Sequence, residues 1–205
     1  MKYQTTPLFS IPLFYANIGT VDPDTMSWIE KLDYPDEAAG HDHTSDKYVL
    51  NNTKLTSLKD QIQNACNVFV KEELKVTDDV EFELQNSWIN RHSANEQNTL
   101  HWHSNAMISG VYYIQNEPNA GDIVFQKSHL YYNLFHDTVR VSFKEPTQYN
   151  TNEFYISPKS GDLVMFPSHL EHMVTPNLTS TPRYSLAFNF FARGTVGGGT
   201  SELKI

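Results

Sequence analysis

Three histidines have the residue type and the spacing of a metal site. His101 and His103 are separated by one residue, and side chains two apart on a β-strand point to the same face. His172 follows 69 positions later, five residues after Pro167. A third imidazole from a distant strand would complete one triangular face of a metal ion and leave its other face open, as catalytic sites require. We therefore expect His101, His103 and His172 to bind one metal ion, with Trp102 turned away into the packing.

A second H-x-H pair, His41 and His43, lies in the polar stretch 35–52 beside Asp42 and Asp46. Thr44 is the only β-branched residue beside this pair, so no rigid strand is expected to hold the two rings. We interpret both as loop histidines.

Arg183 is a cation inside the apolar run TPRYSLAFNFF at 181–191, and Ser185 shares its face. A guanidinium is costly to bury without a charged partner, and its planar fork suits a carboxylate. One interpretation is an ion pair with a distant Asp or Glu, or a strand that is exposed at this point. The other is a pocket for the carboxylate of a small acid beside the metal.

The residues beyond Lys75 have the pattern of a β protein. Short β-branched and aromatic runs are separated by turn signals about every ten residues, and 13% of the chain is aromatic. We predict strands at 80–91, 98–103, 107–115, 121–126, 138–144, 152–157, 162–166, 171–175 and 182–192. Many short strands without intervening helices favour a sandwich or barrel of the jelly-roll kind.

The N-terminal part is predicted to be an arm followed by supporting helices. Residues 5–16 indicate an edge strand or extended arm, because two prolines interrupt them. Asp22-Pro23 begins a short helix to about residue 32. Apolar residues at helical spacing predict an amphipathic helix over 54–74, with Cys66 on its buried stripe.

We expect one domain over residues 1–205. It comprises the arm and helices (1–79), a β core (80–192) and a flexible C-terminal tail (193–205), because the sequence GTVGGGTS is too rich in glycine for a core. No oligomeric state is fixed by the sequence, and a homodimer is compatible with it.

Composition narrows the function classes. The formal net charge is −9 and no basic cluster occurs, which argues against nucleic acid as a partner. Cys66 is the only cysteine, which indicates a reducing setting without an intramolecular disulfide. No stretch resembles a signal peptide or a membrane span. We expect a cytoplasmic protein that has no membrane partner.

Five segments together resemble the Fe(II)/2-oxoglutarate-dependent dioxygenases, and in particular the prolyl hydroxylases and a family of 2-oxoglutarate/iron oxygenases of uncertain substrate. They are SWINRH (87–92), LHWHSN (100–105), SGVYYI (109–114), GDLVMFP (161–167) and PRYSLAFNFF (182–191). That superfamily carries H-x-D/E, a distal His and then a basic residue. Here His172 would be the distal His and Arg183 the basic residue.

The resemblance implies a mainly β fold with flanking α-helices, namely a double-stranded β-helix (a jelly roll, cupin-like). It implies Fe(II) as the metal, 2-oxoglutarate as co-substrate and O2. It also implies that Arg183 and Tyr113 bind the far carboxylate of 2-oxoglutarate, with Ser185 and Ser109 on the same face. The reaction would decarboxylate 2-oxoglutarate to succinate and hydroxylate a small-molecule or peptide substrate that the sequence does not identify.

One departure from the superfamily is that His103 stands where the carboxylate ligand is expected. Three neutral imidazoles would leave Fe(II) its full charge. Alternatively, His103 supports the site while water, Asn105 or Glu171 is the ligand, although strand alternation favours His103. Candidate walls on the substrate side are Trp88, Tyr131, Tyr132 and Phe135, for most of which core packing is the ordinary role.

Two other functions remain open. A cupin-type metal protein is compatible with the spacing of Gly161, Pro167 and His172. Against it, no Glu follows His103 at the cupin spacing, and Arg183 would have no role in such a protein. A non-catalytic jelly roll would use the histidines for packing. Fold alone does not separate these functions, because function depends on the site.

Overall fold

The computed structural model of the chain describes residues 1–35, 42–127 and 141–205. The strands in these ranges are β1 (Phe14–Asn17), β2 (Asp42–His43), β3 (Val80–His92), β4 (Asn98–His101), β5 (Ile108–Gln115), β6 (Ile123–Gln126), β7 (Glu153–Ile156), β8 (Asp162–Pro167), β9 (His172–Val174), β10 (Arg183–Val196) and β11 (Leu203–Lys204). The helices are α1 (Pro23–Ile29) and α2 (Thr56–Asn67), and α2 continues as a π-helix over Val68–Glu73. Short 3₁₀ turns lie at Val49–Asn51, Thr53–Leu55 and Gly199–Ser201.

Two antiparallel sheets make up the β structure of the described ranges. The larger has the order β1-β8-β5-β10-β3-β2, with β11 paired to the end of β10, and the smaller has the order β4-β9-β6-β7. Neighbours in the sheets are distant in sequence, as in β1 with β8 and β10 with β3. This mainly β architecture with flanking helices is the fold class that the sequence predicted.

The outer face of the larger sheet is apolar and packs against the helices. Leu58, Ile62 and Cys66 of α2 belong to the same buried cluster as Leu186 and Phe188 of β10. Burying each large side chain of this kind contributes about 1.5–3 kcal/mol, so helix packing fixes which face of β10 points outward.

The inner face of the same strand is polar. Arg183, Ser185 and Asn189 are all buried, and they alternate with the apolar residues of the outer face. The period of two in a strand places them together on the side that faces the smaller sheet. The fold thus directs the polar residues of β10 towards the space between the sheets.

The N-terminal predictions agree with the structure. Asp22 caps α1 by accepting from the Thr25 N–H, Pro23 occupies the first turn, and the helix ends at Ile29. Strand β1 lies at the edge of the larger sheet. Cys66 is fully buried, and burial raises the pKa of its thiol to about 12, which agrees with an inert core residue.

Four predictions about the strands were wrong in part. The strand predicted to reach His103 ends at His101. Residues 141–144 form no strand, because Val141 and Phe143 are half exposed and so provide no buried face; residues 138–140 lie outside the described ranges. Trp102 is 59% exposed instead of packed, since β4 is the edge strand of the smaller sheet.

The fourth correction concerns the C-terminal tail. Strand β10 continues to Val196, and Leu203–Lys204 turn back to pair with it. The Gly194 N–H also donates to the Ile205 carbonyl at 2.8 Å. The glycines form the turn of this hairpin, so the residues predicted as a flexible tail add an edge strand to the sheet.

None of the helices in the described residues is both long and apolar enough to cross a membrane.

Candidate metal and co-substrate site

The three predicted histidines come together in the structure. His101 and His172 are direct partners in the β4–β9 ladder, and the His103 N–H donates to the Ser168 carbonyl at 3.0 Å just beyond the strand. One ligand nitrogen from each ring lies within 4.8 Å of the other two. Two ligands at right angles on a metal lie about 3 Å apart, given metal–nitrogen bonds of about 2.1 Å. Each pair of nitrogens must therefore approach to about this distance to share one ion.

Hydrogen bonds leave the same nitrogen of each ring available to a metal. Nδ1 of His101 lies 2.7 Å from the Thr99 carbonyl, and Nδ1 of His172 lies 2.9 Å from the Leu170 carbonyl. Nδ1 of His103 lies 2.7 Å from the Asn189 side-chain oxygen. A carbonyl oxygen only accepts, so Nδ1 carries the proton and Nε2 keeps its lone pair. This is the usual arrangement of metal-binding histidines and their outer partners.

The electrostatic environment keeps two of the rings neutral. Burial, followed by the neighbouring His101, lowers the pKa of His172 to about 3. Burial also lowers the pKa of His103, against the opposing effect of its bond to Asn189. Metal ligands must be deprotonated imidazoles, so both rings are in the ligating form at neutral pH.

The alternative ligands do not reach this cluster. Asn105 is exposed in a left-handed turn (φ 57°), and neither Asn105 nor Glu171 lines the cavity that holds the histidines. Among the described residues, no Asp or Glu lines that cavity at all. His103 is therefore the better candidate for the third ligand.

Arg183 lies at the wall of the same cavity and is 1% exposed. Its Nη1 donates to the Ala120 carbonyl at 2.7 Å, while Nε and Nη2 are buried and have no hydrogen-bond partner among the described residues. Burial lowers the pKa of Arg183, and Tyr113 and Asp122 oppose that effect. A buried cation with two unused donors costs free energy until an anion binds it.

The turn before β6 leaves space for the guanidinium of Arg183. Gly121 has φ +104°, and a Cβ there would lie 2.5 Å from Arg183 Nη1 and 2.4 Å from the Thr175 carbonyl. Only glycine fits both the conformation and the space. The Ala120 carbonyl thus holds the guanidinium at the cavity wall by a hydrogen bond, and the lack of a side chain at Gly121 leaves the space that the guanidinium occupies.

Two of the other predicted co-substrate residues line the cavity and one does not. Tyr113 is 2% exposed, its hydroxyl has no hydrogen-bond partner in the described part of the chain, and burial raises its pKa. Ser185 pairs with Tyr113 across the β10–β5 ladder and also lines the cavity. Ser109 does not line it. Its hydroxyl lies 2.7 Å from Asn189 Oδ1 and 2.8 Å from Ser168 Oγ, so Ser109 supports the His103 side instead.

The cavity encloses about 410 Å³ and includes residues that the sequence reasoning missed. Those residues are His43, Lys47, Asn86, Asn90, His92 and Asn98. The prediction of His43 as a loop residue was wrong, because Asp42–His43 pair with β3 opposite Arg91 and Asn90. His41 lies outside the described residues. The alternation of polar side chains along β3, at 86, 90 and 92, is the signal that could have revealed this wall.

Trp88 is the one predicted wall residue within the described ranges. It lines the cavity, its ring centroid is 5.8 Å from that of His103, and its Nε1 donates to Asn90 Oδ1 at 3.0 Å. Tyr131, Tyr132 and Phe135 lie outside the described residues.

Comparison with solved structures supports the fold. The epimerase SnoN from nogalamycin biosynthesis superimposes with a TM-score of 0.60 at 15% identity, covering 88% of this chain and 78% of SnoN. HygX from Streptomyces hygroscopicus, with nickel and 2-oxoglutarate bound, gives 0.56 at 13%, covering 88% and 82%. A Pseudomonas putida prolyl-4-hydroxylase gives 0.55 at 16%, covering 91% and 96%. At these identities the similarity shows the fold, which is the predicted jelly roll.

Comparison of the sequence with curated proteins finds no match. Residues 86–189, just over half of the chain, match a family model described as "Putative 2OG-Fe(II) oxygenase". The matched span begins at Asn86 on β3 and ends at Asn189 on β10. It contains the histidine cluster, Tyr113 and Arg183. The chain therefore belongs to the 2OG-Fe(II) oxygenase family, oxidoreductases that use Fe(II), 2-oxoglutarate and O2.

Proposed function

We propose that the protein is a non-haem dioxygenase that hydroxylates a substrate with Fe(II) held by His101, His103 and His172. The observation that carries the proposal is that Arg183, buried with two unused donors, lines the same cavity as the three histidines. A metal protein that does not use a carboxylate co-substrate has no need of this arrangement, since a buried unpaired cation is destabilising.

The donor set fits a catalytic iron. Three imidazoles offer their Nε2 atoms from one side, and among the described residues no carboxylate lines the cavity to complete a closed structural site. Imidazole is a ligand that iron accepts, and three protein ligands leave positions open for co-substrates. The bonds to Thr99, Leu170 and Asn189 would keep the rings oriented.

The other end of the cavity fits the far carboxylate of 2-oxoglutarate. Nε and Nη2 of Arg183 would form the two parallel bonds that a guanidinium makes with a carboxylate. The hydroxyl of Tyr113, which also has no partner among residues 1–35, 42–127 and 141–205, would donate a further bond. Ser185 lies beside both as an additional donor. Ser109 is not retained as a co-substrate contact, because its hydroxyl bonds elsewhere.

Fe(II), 2-oxoglutarate and O2 would supply the oxidation, in which one oxygen atom enters succinate and the other enters a C–H bond of the substrate, with loss of CO2. The protein's own residues bind and orient the reactants. Arg183, Tyr113 and Ser185 are each at most 5% exposed, so they would hold the co-substrate tail away from water and favour a single orientation.

The primary substrate is proposed to be a polar small molecule or a peptide side chain. The cavity volume of about 410 Å³ must also hold 2-oxoglutarate, and Asn86, Asn90 and Asn98 provide polar walls. Among similar structures, HygX was solved with hygromycin B and SnoN with nogalamycin RO, both small molecules. The single, buried Cys66 supports the expectation of a cytoplasmic location.

The test is a single turnover that needs no primary substrate. The protein is loaded with Fe(II) and 2-oxoglutarate without oxygen, then exposed to ¹⁸O₂, and succinate is measured by mass spectrometry. We expect succinate carrying one ¹⁸O atom, and none from the His172→Ala variant. No succinate from the parent protein, despite bound Fe(II), would contradict the proposal and favour a cupin-type metal protein.

A further inference from the structure

His103 differs from the other two histidines in what holds its ring. His101 and His172 face peptide carbonyls, which can only accept a hydrogen bond. His103 faces the side-chain amide of Asn189. A side-chain amide can turn over and present its N–H groups instead of its oxygen. The tautomer of His103 therefore depends on whatever fixes the Asn189 amide.

Two neighbours fix that amide. Asn189 Nδ2 donates to Asn86 Oδ1 at 2.8 Å, and the Ser109 hydroxyl donates to Asn189 Oδ1 at 2.7 Å. Asn86 and Ser109 are the direct partners of Asn189 in the ladders of β10 with β3 and with β5. With the oxygen of Asn86 facing Asn189, their bond requires the oxygen of Asn189 to point towards His103. The Ser109 hydroxyl, which can donate to that oxygen, supports the same orientation. Three adjacent strands thus supply one side chain each to a single row.

A histidine in place of a carboxylate ligand binds a metal only if its tautomer leaves the correct nitrogen free of a proton. A carboxylate can bind a metal through either oxygen, whereas a neutral imidazole binds only through the nitrogen that lacks a proton. An imidazole without a partner favours the proton on Nε2, which would block that atom as a ligand. A bond from Nδ1–H to an acceptor reverses the preference.

We propose that Asn189, oriented by Asn86 and Ser109, is a positioning residue that sets the tautomer of His103 and so makes Nε2 its metal-binding atom. The inference rests on the proposed metal site, but its first test uses metal-free protein. In this role Asn189 touches neither substrate nor metal and acts only through the ring of His103.

The first measurement is the two-bond ¹H–¹⁵N spectrum of metal-free protein labelled with ¹⁵N-histidine, at about pH 8, above the ordinary pKa of histidine. We expect the His103 proton on Nδ1 in the parent protein and on Nε2 in Asn189→Ala. Asn189→Asp should keep it on Nδ1, because a carboxylate also accepts from that nitrogen. Asn86→Ala should shift the population towards Nε2, because the Asn189 amide is then free to turn over.

The second measurement is Fe(II) affinity under anaerobic conditions. Asn189→Ala should bind Fe(II) about 10- to 100-fold more weakly, as is usual when an outer partner of a metal ligand is lost, and Asn189→Asp should restore most of the affinity. Asn116→Ala is the matched control, because Asn116 is a buried asparagine whose Nδ2 donates to the Pro158 carbonyl. It should leave both the tautomer and the affinity unchanged.

An Nε2-protonated His103 in the parent protein would overturn the inference, as would the same tautomer in the parent, Asn189→Ala and Asn86→Ala. Asn86→Ala and Asn189→Asp decide the question if Asn189→Ala does not fold. Failure of the parent to bind Fe(II) would contradict the proposed function instead, and the tautomers would still decide the role of Asn189.

Discussion

The guanidinium of Arg183 gives the prediction with the largest expected effect. Replacing Arg183 with Ala removes both unused donors, Nε and Nη2, from the cavity. Each charge-assisted hydrogen bond contributes about 1.5–3 kcal/mol, so two bonds correspond to about 3–6 kcal/mol. At about 1.4 kcal/mol per tenfold change, 2-oxoglutarate should bind about 10²- to 10⁴-fold more weakly.

Arg183→Lys separates charge from geometry. The ammonium keeps the positive charge but loses the planar fork that binds a carboxylate through two parallel bonds. Loss of one of the two bonds predicts a weakening of about 10- to 100-fold. Fe(II) affinity should be nearly unchanged in both variants, because the only hydrogen bond of Arg183 to a described residue is to the Ala120 carbonyl.

The assay is calorimetric titration of the anaerobic Fe(II) protein with 2-oxoglutarate. Arg193→Ala is the matched control, because Arg193 lies on the same strand in a surface pair with Glu83 at 3.0 Å, and its removal should leave affinity unchanged. Stability gives a second readout, since removing a buried cation that has no ion pair within the described ranges should not destabilise the metal-free protein. Equal affinities in Arg183→Ala, Arg183→Lys and the parent would refute the reasoning.

Other parts of the site give further predictions. Replacing His103 with Asp should preserve Fe(II) binding and 2-oxoglutarate turnover, since it restores the carboxylate of the superfamily. His172→Ala should abolish Fe(II) binding. Anaerobic Fe(II) titration checks both predictions, and undiminished Fe(II) binding in His103→Ala would exclude His103 as a ligand. Gly121→Ala should weaken 2-oxoglutarate binding at unchanged Fe(II) affinity, because the new Cβ would displace the guanidinium of Arg183; equal calorimetric affinity would contradict this. The Cys66 thiol has a pKa of about 12 and should remain protonated, so its alkylation in the folded protein should stay negligible from about pH 7 to pH 9. An ordinary thiol, with a pKa of about 8.5, reacts increasingly fast over that range. Rapid labelling of Cys66 without denaturant would contradict this prediction, because it would show that the thiol is accessible.

The parts of the site that the sequence predicted are those with a local period. Alternation along β10 placed Arg183 and Ser185 on one face, and the structure has them buried on the inner side. The spacing of His101 and His103 indicated that both rings share a side, although the strand itself ends at His101. A period of two survives such errors in strand length because it depends only on extended backbone.

The parts that were missed depend on pairing between distant segments. The two-residue strand that carries His43 is too short to show any period, and only its pairing with β3 brings it to the cavity. Asn189 was not among the predicted site residues, because its partner Asn86 is 103 positions away in the sequence. Ser109 was on the predicted face but lies two same-face positions before Tyr113 on β5, opposite Asn189 and away from the co-substrate end.

The central claim is that one cavity holds Fe(II) on three histidines and 2-oxoglutarate chelated beside it. Anaerobic titration of the Fe(II) protein with 2-oxoglutarate, followed by visible absorbance, tests this claim most directly. The account predicts a metal-to-ligand charge-transfer band that saturates at one 2-oxoglutarate per iron and is absent in His172→Ala. Tight Fe(II) binding without any such band would contradict it.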